Sequence, residues 1–421
     1  MTLPWWPTGG LWRHPDFLRL WAAQAASAFG SRITRTALPI LAILTVGATP
    51  TEVAVLSALG VAPGVVVGLW AGGRVDRTAR RPLLVGADLV RALLILTIPA
   101  AAWLGVLSMP QLYAVAAAVG AATTLFQIAD NSFLPALVGR DQLVEGNARL
   151  EATDSIAEAA GPGIAGVLVQ WLTAPVALAV DALTYLWSAL LLSRIRAREA
   201  PPAPVGPAAS VLGDVRAGFR ACLAHPLVGR LLLAEAVTYL FGGFFLALYM
   251  VLALETLRLS PAAAGLVISV GGVGAFAGAL LAAPLGRALG TGRALAVSLA
   301  VGQAANLLVP LAAHAGRWAV PLLATQQLVG DAFLGAYIVH TVSLRQRELP
   351  ESVLGRANAT FHVVTGALLP SGALLAGSLA STLGITATLW VGAAGGLLAP
   401  LLLAGGISRT DRIVAIGWNG A

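Results

Sequence analysis

The stretch AVTYLFGGFFLALYMVLAL, residues 236–254, contains no charged side chain. A helix of this length crosses the hydrocarbon layer of a bilayer, which takes about 20 residues. Similar apolar stretches recur along all 421 residues, and charged residues make up only 11% of the chain. Soluble domains carry about 25%. Because a helix satisfies its own backbone hydrogen bonds in lipid, the sequence predicts an all-α membrane protein.

Twelve such spans are predicted, in two groups of six. They cover roughly residues 16–47, 52–75, 83–106, 111–137, 143–171, 175–193, 226–257, 261–285, 293–315, 318–345, 353–383 and 385–406. The polar segment between the groups is rich in proline, which favours an extended spacer, and then predicts a short amphipathic helix over 211–223. We therefore expect an N-terminal six-helix bundle (1–193), a cytoplasmic linker (194–225) and a C-terminal six-helix bundle (226–421).

The arginines between the spans predict the orientation of the chain. Most of them fall on the same side as both termini, whereas only Arg258 and Arg317 fall on the other side. Because basic loops stay inside, both termini are expected in the cytoplasm, in a multi-pass protein of the cell (inner) membrane. We attribute the net charge of +7 to these cytoplasmic arginines, and no nucleic-acid partner is predicted.

The sequence lacks the usual signatures of enzymes and cofactor-binding proteins. A single cysteine, Cys222, excludes an intrachain disulfide. We find no phosphate-binding loop, no metal-ligand cluster and no nucleophile elbow. Neither a cofactor, a metal nor an enzymatic activity is therefore predicted.

The two halves of the chain repeat each other. An offset of 211 residues superimposes His14-Pro15 on His225-Pro226 and Asn147 on Asn358. The same offset also relates Pro110 to Pro321, Gly161 to Gly372 and Gly166 to Gly377. Two repeated bundles of six helices indicate a transporter whose substrate site lies near the bilayer midplane between them.

One loop resembles a family signature. At Gly72 the chain has GGRVDRTARRP, which resembles the loop between helices 2 and 3 of the major facilitator superfamily. The matching residues are Gly72, Asp76, Arg77, Arg80 and Arg81. The resemblance implies a conformational latch, for which Asp130 at the end of the fourth span is the candidate partner.

Further strings resemble one exporter branch of that superfamily. GPGIAG, from Gly161, resembles the Gly-Pro hinge of antiporters, with Gly161 and Pro162 as the hinge residues. ADLVRALL (Ala87–Leu94), NSFLPALV (Asn131–Val138) and DALTYLWSALLL (Asp181–Leu192) resemble the branch that contains enterobactin and macrolide efflux proteins. The resemblance implies a monomeric efflux pump, driven by proton antiport with alternating access, that contributes to drug resistance.

Three acids form a stripe in the fifth span. Glu151, Asp154 and Glu158 are spaced three and four residues apart, on one helical face. Deep carboxylates in a membrane helix are costly, so they function as proton carriers or are paired. The possible partners are the arginines of the first and third spans: Arg32, Arg35 and Arg91.

Other candidate proton-coupling residues lie in the third, seventh and tenth spans. Asp88 is three residues before Arg91, a spacing that favours a structural pair. The exporter branch commonly has an acid in the first span, where this chain has Gly30-Ser31. Glu235 and Asp331 are candidates to replace that acid.

The sequence thus predicts a secondary transporter that exports a small amphipathic or hydrophobic compound, such as a drug, siderophore or secondary metabolite. An uptake symporter for a small nutrient would have the same fold and the opposite direction of transport. A membrane sensor without transport activity is a third interpretation, which the lack of a sizeable soluble segment disfavours.

Overall fold

The structure is a computed structural model that describes residues 10–75, 78–139, 142–197 and 211–403. The described chain is helical throughout and forms twelve long helices, which we number α1 to α12. Their main segments are α1 Pro15–Leu41, α2 Pro50–Val75, α3 Arg80–Trp103, α4 Met109–Asn131, α5 Leu143–Leu172, α6 Ala174–Ser193, α7 Pro226–Val251, α8 Pro261–Leu289, α9 Thr291–Ala305, α10 Asp331–Glu348, α11 Glu351–Leu383 and α12 Ile385–Gly396. The prediction of a twelve-helix membrane protein is confirmed.

Eleven of these helices, with their flanking turns, are long and apolar enough to cross a membrane by length and composition. The exception among the described residues is α5, whose acids Glu151, Asp154 and Glu158 lower its mean hydropathy. Its 30 residues are nevertheless continuous helix, long enough to span. The helix that departs from ordinary membrane composition is therefore the one that carries the predicted acid stripe.

Proline explains the interruptions in two of the predicted spans, the fourth and the ninth. The span predicted over 111–137 ends at Asn131, and a separate short helix, Leu134–Leu137, follows. Pro135 has no N–H to donate, and it lies in the first turn of the short helix, where that N–H would have no partner within the helix. In the ninth span α9 ends at Ala305 and a short helix, Leu308–Ala312, continues it. Pro310 disfavours helix there because its ring would clash with the carbonyl of Asn306.

The helix starts show what the repeat encodes. At α1, Nδ1 of His14 accepts a hydrogen bond from the backbone N–H of Phe17, at 3.1 Å. At α7, Nδ1 of His225 accepts one from Val228 N–H, at 3.4 Å. In both cases proline occupies the first helical position, where its missing N–H costs nothing. The repeated His-Pro pair is therefore a helix N-cap.

The tight connections that follow α5 and α11 also correspond. Thr173, between α5 and α6, has φ 84° and ψ 156°, and Gly384, between α11 and α12, has φ 82° and ψ 164°. The two positions are 211 residues apart. This region of backbone space is almost exclusive to glycine. The first half therefore holds a threonine in a conformation that suits the glycine of the second half.

The contacts of the helices divide the chain into two compact units. The first comprises Met1–Gly47 and Leu59–Ala208, and the second comprises Ala48–Ala58 and Ala209–Ala421. In the first unit α1 packs against α5 and α6, and α3 packs against α4 and α6. In the second unit α7 packs against α11 and α12, and α10 packs against α8 and α9. The predicted bundle boundaries, 1–193 and 226–421, stay a prediction.

The first and last helices of each half meet through small residues, but on opposite sides. In the first unit Gly30 of α1 leaves room for the side chains of Asp181 and Thr184 on α6, which a Cβ at Gly30 would overlap. In the second unit Gly395 of α12 leaves room for the ring of Phe241 on α7. Gly30 corresponds to Phe241 and Thr184 to Gly395 in the 211-residue repeat. The glycine of the contact therefore lies on the first helix of the first half and on the last helix of the second half.

The linker ends in the amphipathic helix that the sequence predicts. It spans Val211–Ala224 and packs against α7 and α11. A Cβ at Gly218 would lie 3.1 Å from the backbone carbon of Arg356, so the helix approaches α11 closely. Cys222 is buried in the same contact. This helix therefore belongs to the second unit, with its Arg216 and Arg220 exposed.

Candidate functional site

A polar cavity of about 130 Å³ lies inside the first unit. Helices α1, α3, α4 and α5 supply its walls. The described lining residues are Gln24, Ser27, Ala28, Ser31, Arg32, Arg91, Thr123, Phe126, Gln127, Asp130, Leu150, Thr153 and Asp154. Two arginines, two aspartates and several amide and hydroxyl groups therefore face one space among otherwise apolar helices.

One wall of the cavity is an ion-pair cluster between α1 and α5. Nε of Arg32 lies 2.8 Å from Oε2 of Glu158, and Nη2 of Arg32 lies 2.9 Å from Oδ2 of Asp154. Arg35, one turn further along α1, pairs with the other oxygen of Glu158. Of the predicted acid stripe the structure brings Asp154 and Glu158 to the arginines, while Glu151 is exposed. The cluster balances two guanidinium groups against two carboxylates.

The glycine of the predicted hinge makes this cluster possible. A Cβ at Gly161 would lie 3.0 Å from Cγ of Arg32 and still closer to its Cβ. The stem of Arg32 therefore packs directly on the backbone of α5, which directs its head toward Asp154 and Glu158. The helix continues through Pro162 to Leu172. A hinge at Gly161 and Pro162 stays a prediction.

A second ion pair is completely enclosed. Asp88 and Arg91, three residues apart on α3, pair as the sequence predicts, with side-chain exposures of 0% and 2%. The guanidinium of Arg91 lies 4.3 Å from the ring centroids of both Phe126 and Tyr185. Stacking between two aromatic faces compensates a desolvated cation. Arg91 therefore has partners on three helices while it lines the cavity.

Asp130 accepts a hydrogen bond from the amide of Gln24 across the cavity. Its predicted role as partner of the latch arginines stays a prediction, because Asp76 and Arg77 lie outside the described residues, and Gly72 is described only by its place in α2. Of the other latch residues, Arg80 begins α3 and Arg81 donates to the carbonyl of Ser193 at the end of α6.

Sequence reasoning did not single out the buried network around Asp181. This carboxylate is completely buried and accepts hydrogen bonds from Thr34 and Thr184. One turn along α6, the hydroxyl of Tyr185 lies 3.0 Å from that of Ser31. The available signal was the glycine and the threonine one turn apart on α1, Gly30 and Thr34, which give such a carboxylate space and a donor.

The second unit contains a buried carboxylate of a different kind. Glu235 of α7 is 8% exposed and has no hydrogen bond or ion pair with any residue that the structure describes. Arg345 of α10 attracts it electrostatically, and the carboxylate itself acts on Tyr239, one turn along α7. The guanidinium of Arg345 is itself stacked on Phe361 of α11, 4.3 Å from the ring centroid. Glu235 thus differs from Asp154 and Glu158, which contact guanidinium groups directly.

Asp331 lies at the start of α10, directly after a π-helical turn formed by Gln326–Gly330. Its carboxylate occupies the space that a side chain at Gly271 of α8 would fill, and a Cβ at Gly271 would also lie 3.0 Å from Oε1 of Gln327. The predicted acid is therefore embedded in the contact between α8 and α10.

Twelve long helices in two repeated units, with ionisable side chains enclosed inside each unit, are the architecture of a membrane transporter. The family described as "Transmembrane secretion effector" matches residues 8–410. The chain belongs to this family of the major facilitator superfamily, whose members are transporters and not enzymes.

Two curated relatives match most of the chain. The chain is 27% identical to the multidrug efflux pump Tap of Mycolicibacterium fortuitum, over 93% of its own length and 94% of the relative's. It is also 27% identical to the uncharacterized MFS-type transporter y4rN of Sinorhizobium fredii (strain NBRC 101917 / NGR234), over 86% and 88% of the two lengths.

Solved structures share the fold at low identity. The nucleoside transporter NupG superimposes with a TM-score of 0.77 at 11% identity, over 93% of this chain and 98% of that one. A bacterial homologue of the iron transporter ferroportin, in an inward-facing state, gives 0.74 at 18% identity, over 95% and 100%. These likenesses support the fold alone.

Proposed function

We propose that this protein exports a small amphipathic or hydrophobic compound by proton antiport with alternating access. The observation that carries the proposal is the similarity to the multidrug efflux pump Tap, which extends over 93% of the chain. The polar cavity of the first unit, at about 130 Å³, is smaller than the roughly 300–1,000 Å³ of whole ligand pockets, so it would hold only the polar end of such a compound.

Glu235 is our candidate for the proton carrier. An ionised carboxylate enclosed without an ion pair is costly, and binding a proton removes that cost. Alternating access changes the water exposure of such a group and can therefore load and release its proton. Asp154 and Glu158 are instead held by Arg32 and Arg35. We assign these two acids to holding α1 against α5, and Asp331 is the second candidate for coupling.

Transport by purified protein in liposomes tests the proposal. Ethidium, a fluorescent amphipathic cation, would be followed under an imposed pH gradient of either sign. We expect the wild type to move ethidium against the proton flux, and a protonophore to stop it. Transport along the proton flux would support the uptake symporter instead, and no dependence on the gradient would refute antiport.

Glu235→Gln tests the coupling residue, with Glu158→Gln as the matched control. We expect Glu235→Gln to lose gradient-driven transport while it still exchanges labelled for unlabelled ethidium without a gradient, because exchange needs no net proton movement. Glu158→Gln should keep its response to the gradient. If Glu235→Gln still accumulates ethidium at the wild-type rate, Glu235 is not the carrier.

A further inference from the structure

A second cavity, of about 500 Å³, lies at the end of the first unit where α1 and α3 begin and α6 ends. Its described lining consists of four arginines, one serine and one buried isoleucine. They are Arg19, Arg81, Ser193, Arg194, Ile195 and Arg196. Three separate segments of chain therefore direct guanidinium groups toward one space, which differs from the scattered basic loops that topology alone requires.

The segment that follows α6 is fixed in place. Ile195 is 1% exposed and belongs to the apolar core of the first unit, so its neighbours Arg194 and Arg196 point outward. The carboxylate of Asp16 accepts hydrogen bonds from the backbone N–H groups of Arg196, at 3.1 Å, and Ala197, at 2.9 Å. The arginines of this segment are thus presented by an ordered backbone.

Asp16 and Ser193 also hold the other two arginines. Arg19 pairs with Asp16 one turn earlier on α1, and Arg81 donates to the backbone carbonyl of Ser193. The contact with Asp16 uses only part of the five donors of the Arg19 guanidinium group. Both arginines also line the cavity together with Arg194 and Arg196, which gives the space a strongly positive potential.

The cavity suits a phosphate group for two reasons. The planar fork of arginine matches the geometry of phosphate oxygens, and several forks on different segments can surround one phosphate. The ends of three membrane helices also lie at the level of the lipid headgroups. The arginine distribution predicts this end to be cytoplasmic, where anionic phospholipids give the membrane its negative surface potential.

We propose that the arginine cavity between α1, α3 and α6 binds the phosphate of an anionic phospholipid headgroup. The side chains of Arg194 and Arg196 can be replaced with little structural effect, because both are exposed, and Arg194 caps the end of α6 through its backbone N–H alone. The site is separate from the polar cavity inside the first unit, and the proposal does not depend on what the protein transports.

Lipid binding to the full chain tests this assignment. The purified protein in a neutral detergent would be titrated with phosphatidylglycerol and with phosphatidylcholine, and bound lipid would be counted by native mass spectrometry. We expect one tightly held phosphatidylglycerol and no comparable site for phosphatidylcholine. Each arginine near an anionic surface contributes about fivefold to binding, so Arg194→Gln/Arg196→Gln should bind phosphatidylglycerol about thirtyfold more weakly.

The control removes the same charge elsewhere. Arg216→Gln/Arg220→Gln alters two exposed arginines of the linker helix, and we expect its affinity to match the wild type within about twofold. Equal losses in both variants would show diffuse attraction and overturn the proposal. Competition with inorganic phosphate distinguishes a lipid site from a site for soluble anions. If inorganic phosphate displaces phosphatidylglycerol at equal concentration, the site binds soluble anions and the lipid assignment is wrong.

Discussion

Replacing Gly161 with alanine would test how the ion-pair cluster of the first unit is built. The new Cβ would lie 3.0 Å from Cγ of Arg32 and closer to its Cβ, whereas carbon atoms in contact are about 3.5–4.0 Å apart. Either α1 and α5 separate by roughly 1 Å, or the stem of Arg32 rotates away. Both changes lengthen the contacts to Asp154 and Glu158, now 2.9 and 2.8 Å.

The size of the effect follows from two opposing contributions. Overpacking in a well-packed interior costs about 1–3 kcal/mol. Alanine is a better helix former than glycine by about 1 kcal/mol, which offsets part of this cost. Gly86→Ala on α3 isolates the second contribution, because its Cβ would meet nothing within 4 Å. We therefore expect Gly161→Ala to be about 1–3 kcal/mol less stable than Gly86→Ala.

Unfolding of both variants in the same detergent measures this difference, and ethidium transport in liposomes measures its consequence. Gly161→Ala should also transport more slowly than Gly86→Ala, because Arg32 no longer reaches both acids of α5. If the two variants have the same stability and transport ethidium at the same rate, Arg32 does not pack on Gly161, and our account of how α5 positions the cluster is refuted.

Two further predictions concern backbone strain and the enclosed ion pair. Thr173→Gly should stabilise the protein by about 1 kcal/mol and Gly384→Thr should destabilise it by about 1–3 kcal/mol, because both positions need a backbone conformation that favours glycine. Thermal unfolding measures both changes. Equal shifts of the unfolding temperature in the two variants would contradict this. Arg91→Met should cost about 3–5 kcal/mol, because it leaves Asp88 buried without its cation. The double variant Asp88→Asn/Arg91→Met should recover part of that loss in the same unfolding assay, and a purely additive result would show that the two residues act independently.

The spacing of residues along the sequence predicted which side chains share a helical face, but it did not predict the contacts between helices. The three-residue interval between Asp88 and Arg91 places both on one face of α3, so their pairing follows from helix geometry alone. The same reasoning placed Glu151, Asp154 and Glu158 on one face of α5. It could not tell that Glu151 is exposed, because exposure depends on how α5 lies against α1.

Contacts between distant segments carried the information that the sequence lacked. Arg32 and Glu158 are 126 residues apart, and nothing in either segment specifies which turn of α1 meets which turn of α5. Asp181 lies in an apolar string, and its donor Thr34 is 147 residues away. The prolines that interrupt the fourth and ninth spans were visible, but hydropathy alone does not register a break within an apolar run.

The exchange of small and large partners between Gly30 and Thr184 on one side, and Phe241 and Gly395 on the other, has an evolutionary consequence. Each contact needs its own glycine, because a side chain at Gly30 would overlap Thr184 and a side chain at Gly395 would overlap Phe241. Substitutions at these positions are therefore expected to arise in pairs within a half and not to transfer between halves. Because both members of each pair lie in the same half, a whole half carries its contact with it, whereas exchanging α1 with α7 would place Phe241 against Thr184 and Gly30 against Gly395.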